Sequence, residues 1–207
     1  MSAVPTPTSK PAPILDPDVR LMLQVKEGDE SAFAEIMERY QNRVLSVLFN
    51  ALGNREEAED LTQEVFLRVY RARHGYQPTA KFSTWVFTIT NHLAMNARRS
   101  RLFRRTVPID SRDSGPLGAR PAEQLVQEPG KDAASQLERS EIAELVRNAI
   151  AQLNERQRMA VLLNKFEDLG YAEIGEIMSL SPAAVKSLLA RARAGLREMV
   201  EPYLDVI

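Results

Sequence analysis

At 207 residues, with 44% hydrophobic and 27% charged side chains, the chain has the composition of an ordinary globular protein of one or two small domains. Its net charge of −1 argues against a generic polyanion binder, and its lack of cysteine excludes disulfides, thiolate metal sites and a thiol redox switch. No apolar run approaches membrane-spanning length, and the amino-terminal MSAVPTPTSKPAPILDP lacks the continuous apolar core of a secretory signal, so a cytoplasmic protein without direct membrane insertion is expected.

Residues 1–16 read as a disordered, proline-rich tail. Helical signals follow without a convincing strand. Asp29 or Ser31 is placed to cap a helix whose Phe33, Ile36, Met37, Tyr40, Val44, Val47, Leu48 and Ala51 form one apolar stripe. Gly53 stands where that helix should stop. Asn54, with Glu57 three residues on, resembles a capping box for a second helix carrying Ala58, Leu61, Val65, Val69 and Ala72 inward. A short connection with a proline leads to a third helix, opening at Ser83 or Thr84 and running through Trp85 into a run of arginines.

Residues 106–134 change character. Prolines and glycines accumulate and periodicity disappears, which is the signature of a flexible linker. Helices resume at Ser135, with Leu137, Ile142, Leu145, Val146, Ala149, Ile150 and Leu153 on one stripe. Asn154 with Gln157 repeats the capping box, and Leu162, Leu163 and Phe166 follow. A short helix over 171–178, a Ser-Leu-Ser turn and a helix opening at Pro182 have helix-turn-helix dimensions. The expected architecture is all-α: two small helical domains over 17–105 and 135–207 on a flexible tether, the second containing the helix-turn-helix.

Charge is segregated along this framework. Residues 56–64 carry Glu56, Glu57, Glu59, Asp60 and Glu64 and no basic residue; residues 186–197 carry Lys186, Arg191, Arg193 and Arg197 and no acidic one. Five of the eight residues over 98–105 are arginine. Two basic surfaces on an otherwise slightly acidic chain point to two separate contacts with nucleic acid.

Each feature also has a plainer reading. The hairpin over 171–197 is either an ordinary helical hairpin or a DNA reader. For the second, the small residues Pro182, Ala183 and Ala184 let a helix start approach the duplex, and Lys186, Ser187 and Arg191 follow. Arginines near a helix end also suit the helix dipole. Five of them, behind Asn91, His92 and Asn96, fit a phosphate-tracking surface with polar base readers better. Trp85, Phe82 and Phe87 read more simply as core than as stacking platforms. Asp60, Gln63 and Glu64 are either solvated or a docking face for a protein that also holds DNA. No catalytic constellation appears: His74 and His92 have no paired carboxylate at ligand spacing, and there is no phosphate loop or dinucleotide fingerprint. No enzyme activity, cofactor or metal is expected.

Several motifs together resemble one family. Asp60, Gln63, Glu64 and Phe66 follow an Asp-x-x-Gln-Glu-x-Phe pattern; Phe82, Thr84, Trp85 and Phe87 follow a Phe-x-Thr-Trp-hydrophobic-aromatic pattern; residues 153–197 end in Ala-Ala-Val-Lys-Ser-Leu-Leu-Ala-Arg-Ala-Arg. In this order, around a variable linker, they resemble bacterial extracytoplasmic-function (ECF) sigma factors of the sigma-70 family over residues 20–105 and 135–200. The resemblance implies an RNA polymerase subunit that docks on the β′ clamp helices through Asp60, Gln63, Glu64 and Phe66. It implies capture of the melted −10 promoter element by His92, Asn96, Arg98, Arg99 and Arg101. It implies reading of the −35 duplex by Ser181, Pro182, Ala183, Lys186, Ser187, Ala190 and Arg191, with the carboxy-terminal domain on the β flap. An anti-sigma factor is an implied further partner. His92 stands where the family usually has Asn, and Leu188 where it usually has Arg, which removes one phosphate contact. The alternatives are a classical helix-turn-helix regulator of duplex DNA, which leaves the Asp60 helix and the arginine run unexplained, and a sigma mimic that only sequesters another regulator, which leaves the rich basic surface unexplained.

Overall fold

The computed structural model describes residues 16–106 and 133–204, and every long element among them is an α-helix. The proline-rich tail, apart from Asp16, and most of the linker expected over 106–134 lie outside the described residues.

Local chemistry sets the helix ends. α1 (Pro17–Lys26) has Asp16 accepting from the Asp18 N–H, with proline in the first turn where a missing N–H costs nothing. α2 (Glu30–Leu52) is capped by Asp29, which accepts from the N–H groups of Ser31 and Ala32. It ends at Gly53, whose φ of 70° is open to glycine, and whose N–H returns to Phe49 O at 2.8 Å. α3 (Arg55–Arg71) is capped by Asn54 on Glu57 N–H, with acids in its first turn and arginines in its last, matching the helix dipole at both ends. A 3₁₀ turn over Arg73–Gly75 leads to α4 (Phe82–Thr106).

These helices bury Met22, Ile36, Tyr40, Val44, Leu48, Val65, Phe82 and Phe87. Tyr40 sits edge-on to Phe82 at 5.0 Å and donates to Asp18 at 2.5 Å, tying α1 to α2. Burial holds its phenol well above the ordinary range. Trp85 packs between Tyr76 and Phe82, with ring centroids 4.9 and 5.8 Å away, and lies partly buried against the core.

The carboxy-terminal unit comprises α5 (Ala133–Gln152), α6 (Glu155–Lys165), α7 (Tyr171–Met178) and α8 (Pro182–Leu204). The Asn154–Gln157 capping box forms in both directions. α7 and α8 are the helix-turn-helix. Ser179 takes the left-handed conformation at φ 55°, and Leu180 N–H reaches back to Gly175 O at 2.8 Å. A Cβ on Gly175 would lie 2.6 Å from the Leu180 carbonyl oxygen, so the turn closes only over glycine. Ser181 Oγ then accepts from Ala184 N–H and caps α8.

Some apolar side chains of the carboxy-terminal unit stay outside the core. Phe166 is 49% exposed, because α6 ends there and the next residue, Glu167, turns in instead. Ile142 and Val146 are only partly covered, at 38% and 39% exposure. The two helical units expected from the sequence are present, and they touch: α4 packs on α7, α2 packs on α5 and α6, and the buried side chains form one continuous cluster.

Gly175→Ala should therefore cost about 1–3 kcal/mol of stability, the usual cost of forcing atoms into a filled site. Urea unfolding followed by circular dichroism measures it, and an unchanged midpoint would mean that the turn relaxes freely.

Candidate nucleic-acid and polymerase interface

On α3 the apolar stripe faces α2 and leaves the acidic edge outward. Asp60 and Gln63 are exposed, and Glu64 is half-buried with Arg68 at 2.7 Å. Phe66 is different: at 4% exposure its ring belongs to the core. It floors a groove of about 460 Å³ between α2 and α3, walled by Phe33, Met37, Leu67 and Tyr70, with Gln63 on the rim. Leu67 is 49% exposed. Sequence periodicity missed these walls, although Leu67 carried a signal: it is apolar yet falls off the stripe defined by Leu61, Val65 and Val69.

α4 divides the arginine run. His92, Asn96 and Arg99 are exposed at spacings of four and three, hence on one face. Arg98 and Arg101 turn the other way. Arg98 Nη1 donates to Ala51 O at 3.0 Å and its Nε lies 3.2 Å from Glu155. Arg101 donates to Leu52 O at 3.2 Å and forms an ion pair with Glu57. Both therefore cap the carboxy-terminal end of α2. Asn91 is buried, with Nδ2 3.3 Å from Ile177 O on α7. The side chains of Arg104 and Arg105 lie outside the described ones.

On α8 the periodicity separates two faces cleanly. Val185, Leu188, Leu189 and Ala192 are buried, while Ser181, Pro182, Ala183, Lys186, Ser187, Ala190 and Arg191 are all exposed. Lys186 and Arg191 have no ion pair among the described residues. Ser187 Oγ donates back to Ala183 O at 3.1 Å, which leaves its lone pairs outward. The first turns of α8 thus present small side chains, a hydroxyl and two cations on one convex face. Leu188, the departure noted in the sequence, is 8% exposed and fills the core.

Among the described residues no group of three or more His, Asp or Glu gathers as a metal site, and no helix is long and apolar enough to cross a membrane.

Residues 36–103 match the family model for Sigma-70 region 2, and residues 143–196 match that for Sigma-70, region 4. The chain is 31% identical over 179 residues to the ECF RNA polymerase sigma factor SigW of Bacillus subtilis, covering 86% of this chain and 93% of that one. It is 31% identical over 199 residues to the RNA polymerase sigma-H factor of Pseudomonas aeruginosa, covering 90% and 95%. In fold it is similar to CnrH, solved in complex with the cytosolic domain of CnrY, with a TM-score of 0.65 at 19% identity over 90% of this chain and 99% of that one. It is also similar to RpoE of Bartonella quintana, solved with the anti-sigma factor NepR, with a TM-score of 0.60 at 19% identity over 82% and 96%.

The two kinds of arginine on α4 should separate by experiment. Arg101→Ala should lower unfolding free energy by about 0.5–1.5 kcal/mol through loss of the α2 cap, whereas Arg99→Ala should stay within about 0.5 kcal/mol. Denaturant melts of both variants make the comparison, and equal losses would contradict the division.

Proposed function

The chain belongs to the ECF sigma factors of RNA polymerase, and from that membership we propose how its surfaces divide the work. As a sigma factor it directs core polymerase to specific promoters, reading the −35 duplex and opening and capturing the −10 element. In our reading residues 17–105 form the unit that docks on core and holds the −10 strand, and residues 135–207 form the unit that reads −35. The observation that carries the assignment is the pair of exposed polar faces: His92, Asn96 and Arg99 on α4 within the region 2 match, and Lys186, Ser187 and Arg191 on α8 within the region 4 match.

Asp60, Gln63 and Glu64 supply the contact with the β′ clamp helices, and Phe66 positions them from beneath as the floor of the groove. The −35 contacts come from Ser181, Pro182, Ala183, Lys186, Ser187, Ala190 and Arg191, whose small members permit close approach and whose cations meet phosphates or guanine edges. The −10 strand is held by His92, Asn96 and Arg99; Arg98 and Arg101 join only if their capping contacts are released. The β flap carries the second unit. The chain performs no bond chemistry in this scheme: it converts binding energy into strand separation by trapping exposed bases. A cytoplasmic location and an anti-sigma partner complete the proposal, the latter supported by the fold likeness to RpoE of Bartonella quintana, solved with the anti-sigma factor NepR.

Gln63→Ala with Glu64→Ala should weaken binding to core polymerase while costing no more than about 0.5 kcal/mol of stability each, since neither side chain is buried. Unchanged affinity at ordinary salt would remove the docking role.

Arg191→Ala should weaken recognition of the upstream duplex. A bidentate base contact would give a loss of about 1–3 kcal/mol concentrated at one base pair, and a phosphate contact a loss uniform across sequences. Asn96→Ala should spare duplex binding and impair opening, so a promoter supplied with a premelted bubble should recover most of the lost transcription. Wild-type opening and transcription by Asn96→Ala would show that this turn does not serve melting.

A further inference from the structure

An apolar groove of the amino-terminal unit stays open among the described residues. Phe33 and Met37 on α2 and Leu67 and Tyr70 on α3 wall it over the Phe66 floor. The rings of Phe33 and Tyr70 stand 5.0 Å apart at a tilt of 52°, and Leu67 is 49% exposed. This aromatic contact joins the start of α2 to the end of α3, so Gln41 and Gln63 stand at the other end of the groove. The stretch of α2 from Glu30 to Gln41 is about 17 Å long at about 1.5 Å per residue. At the Gln63 end the edge turns acidic: Asp60 lies one turn earlier on the same row of α3, with Glu56 beyond it, and both are exposed.

The chain carries a segment whose chemistry suits this groove. The residues before Asp16, MSAVPTPTSKPAPIL, hold four prolines, one lysine and no acid. Proline-rich segments favour a left-handed extended helix with three residues per turn and a rise of about 3.1 Å. Aromatic-lined grooves bind that form, and its low entropy reduces the cost of docking. At that period Pro5, Thr8 and Pro11 share one edge about 19 Å long, close to the length of the groove. Lys10 falls on the neighbouring edge.

The tether is long enough. Tyr40 donates to Asp18 at 2.5 Å, so α1 begins against α2 at the residue before Gln41. With Pro11 at the Gln41 end, residues 12–15 bridge at most about 17 Å to Asp16 when extended. The helix they must round is about 10–12 Å across. Lys10 then comes beside Asp60.

We propose that residues 5–11 dock in the groove between α2 and α3 of their own chain, with Pro5, Thr8 and Pro11 along its apolar walls and Lys10 against Asp60. The segment is a resident occupant that a partner of α3 must displace. A short tether gives an effective concentration in the millimolar range, so a contact with a dissociation constant of about 1 mM fills about half the grooves. Half occupancy lowers the apparent affinity of a competitor about twofold. That competitor is core polymerase on the docking reading given above for Asp60 and Gln63; the docking of the segment does not rest on that reading.

The chain has no cysteine, so Ser9→Cys, on the third edge of the segment, accepts a single nitroxide in the full chain. Methyl-labelled methionines then report its position by magnetic resonance. The Met37 methyl should be broadened, and that of Met199 on α8 should not. Pro5→Ser with Pro11→Ser should restore the Met37 signal. Leu67→Asp should do the same with helical circular dichroism retained, since Leu67 is exposed. Asp60→Lys should release the segment, and Lys10→Asp in the same chain should return it. Met37 broadening that is absent in the parent, or equal in parent and variants, overturns the docking. Broadening of a methyl-labelled chain by a separate nitroxide-bearing chain makes the occupant a second copy and overturns the intramolecular site. In a titration with core polymerase, the chain with Pro5→Ser and Pro11→Ser alone should bind about twofold tighter than the parent. Release of the segment without that gain overturns the competition. A parent chain that does not bind core at all sinks the functional reading and leaves the methionine result standing.

Discussion

The carboxy-terminal end of α2 is the point on which the rest of the molecule depends. A helix of 23 residues ends with unpaired carbonyls and the negative end of its dipole. Here three guanidinium groups converge on it: Arg98 and Arg158 both donate to Ala51 O, and Arg101 donates to Leu52 O. Arg158 also donates to Ile150 O, Ala151 O and Leu153 O at the end of α5, so one buried cation closes two helices. Burial pulls its pKa down, and neighbouring Arg98 adds to this, but a guanidinium remains charged at neutral pH. With Arg98 and Arg101 turned towards α2, the helical repeat turns His92, Asn96 and Arg99 to solvent. Structural capping thus orients the face assigned to DNA.

The same separation of duties appears on each functional helix. α3 spends one side on the core and leaves an acidic edge above an aromatic groove. α8 spends Val185, Leu188, Leu189 and Ala192 on the core and leaves cations, a hydroxyl and small side chains outward. A protein that works by binding needs no constellation of reacting groups. It needs rigid faces whose polar atoms are not already satisfied by the fold, and these helices supply them.

What was legible in the sequence is what local chemistry decides. Asp29, Asn54, Gly53, the Asn154–Gln157 box and Pro182 announce helix ends because caps act within three or four residues, and the short helix over 171–178 has the predicted bounds. Exposed positions on α8 follow from a period of 3.6. What was not legible depends on partners distant in the chain. Nothing local marks Arg98 and Arg101 as caps and Arg99 as free, since the difference is set by Ala51, Leu52 and Glu57 across the bundle. Phe66 carries a family motif yet is core. Phe166 and Glu167 exchange the places that hydrophobicity suggests, because a buried carboxylate is tolerated only opposite Arg43. The contact between the two units joins elements far apart in the chain through apolar and polar side chains together, which local periodicity does not detect.

The central claim is that the chain acts as a promoter-opening subunit and not as a free-standing duplex binder. The most direct measurement is permanganate reactivity of thymines, together with start-site mapping, on promoter DNA incubated with core polymerase, with the chain, and with both. Unpaired thymines near −10, upstream duplex protection and a single start site are predicted only when both proteins are present. Tight, sequence-specific protection by the chain alone, or polymerase initiation unaffected by its addition, would contradict the account.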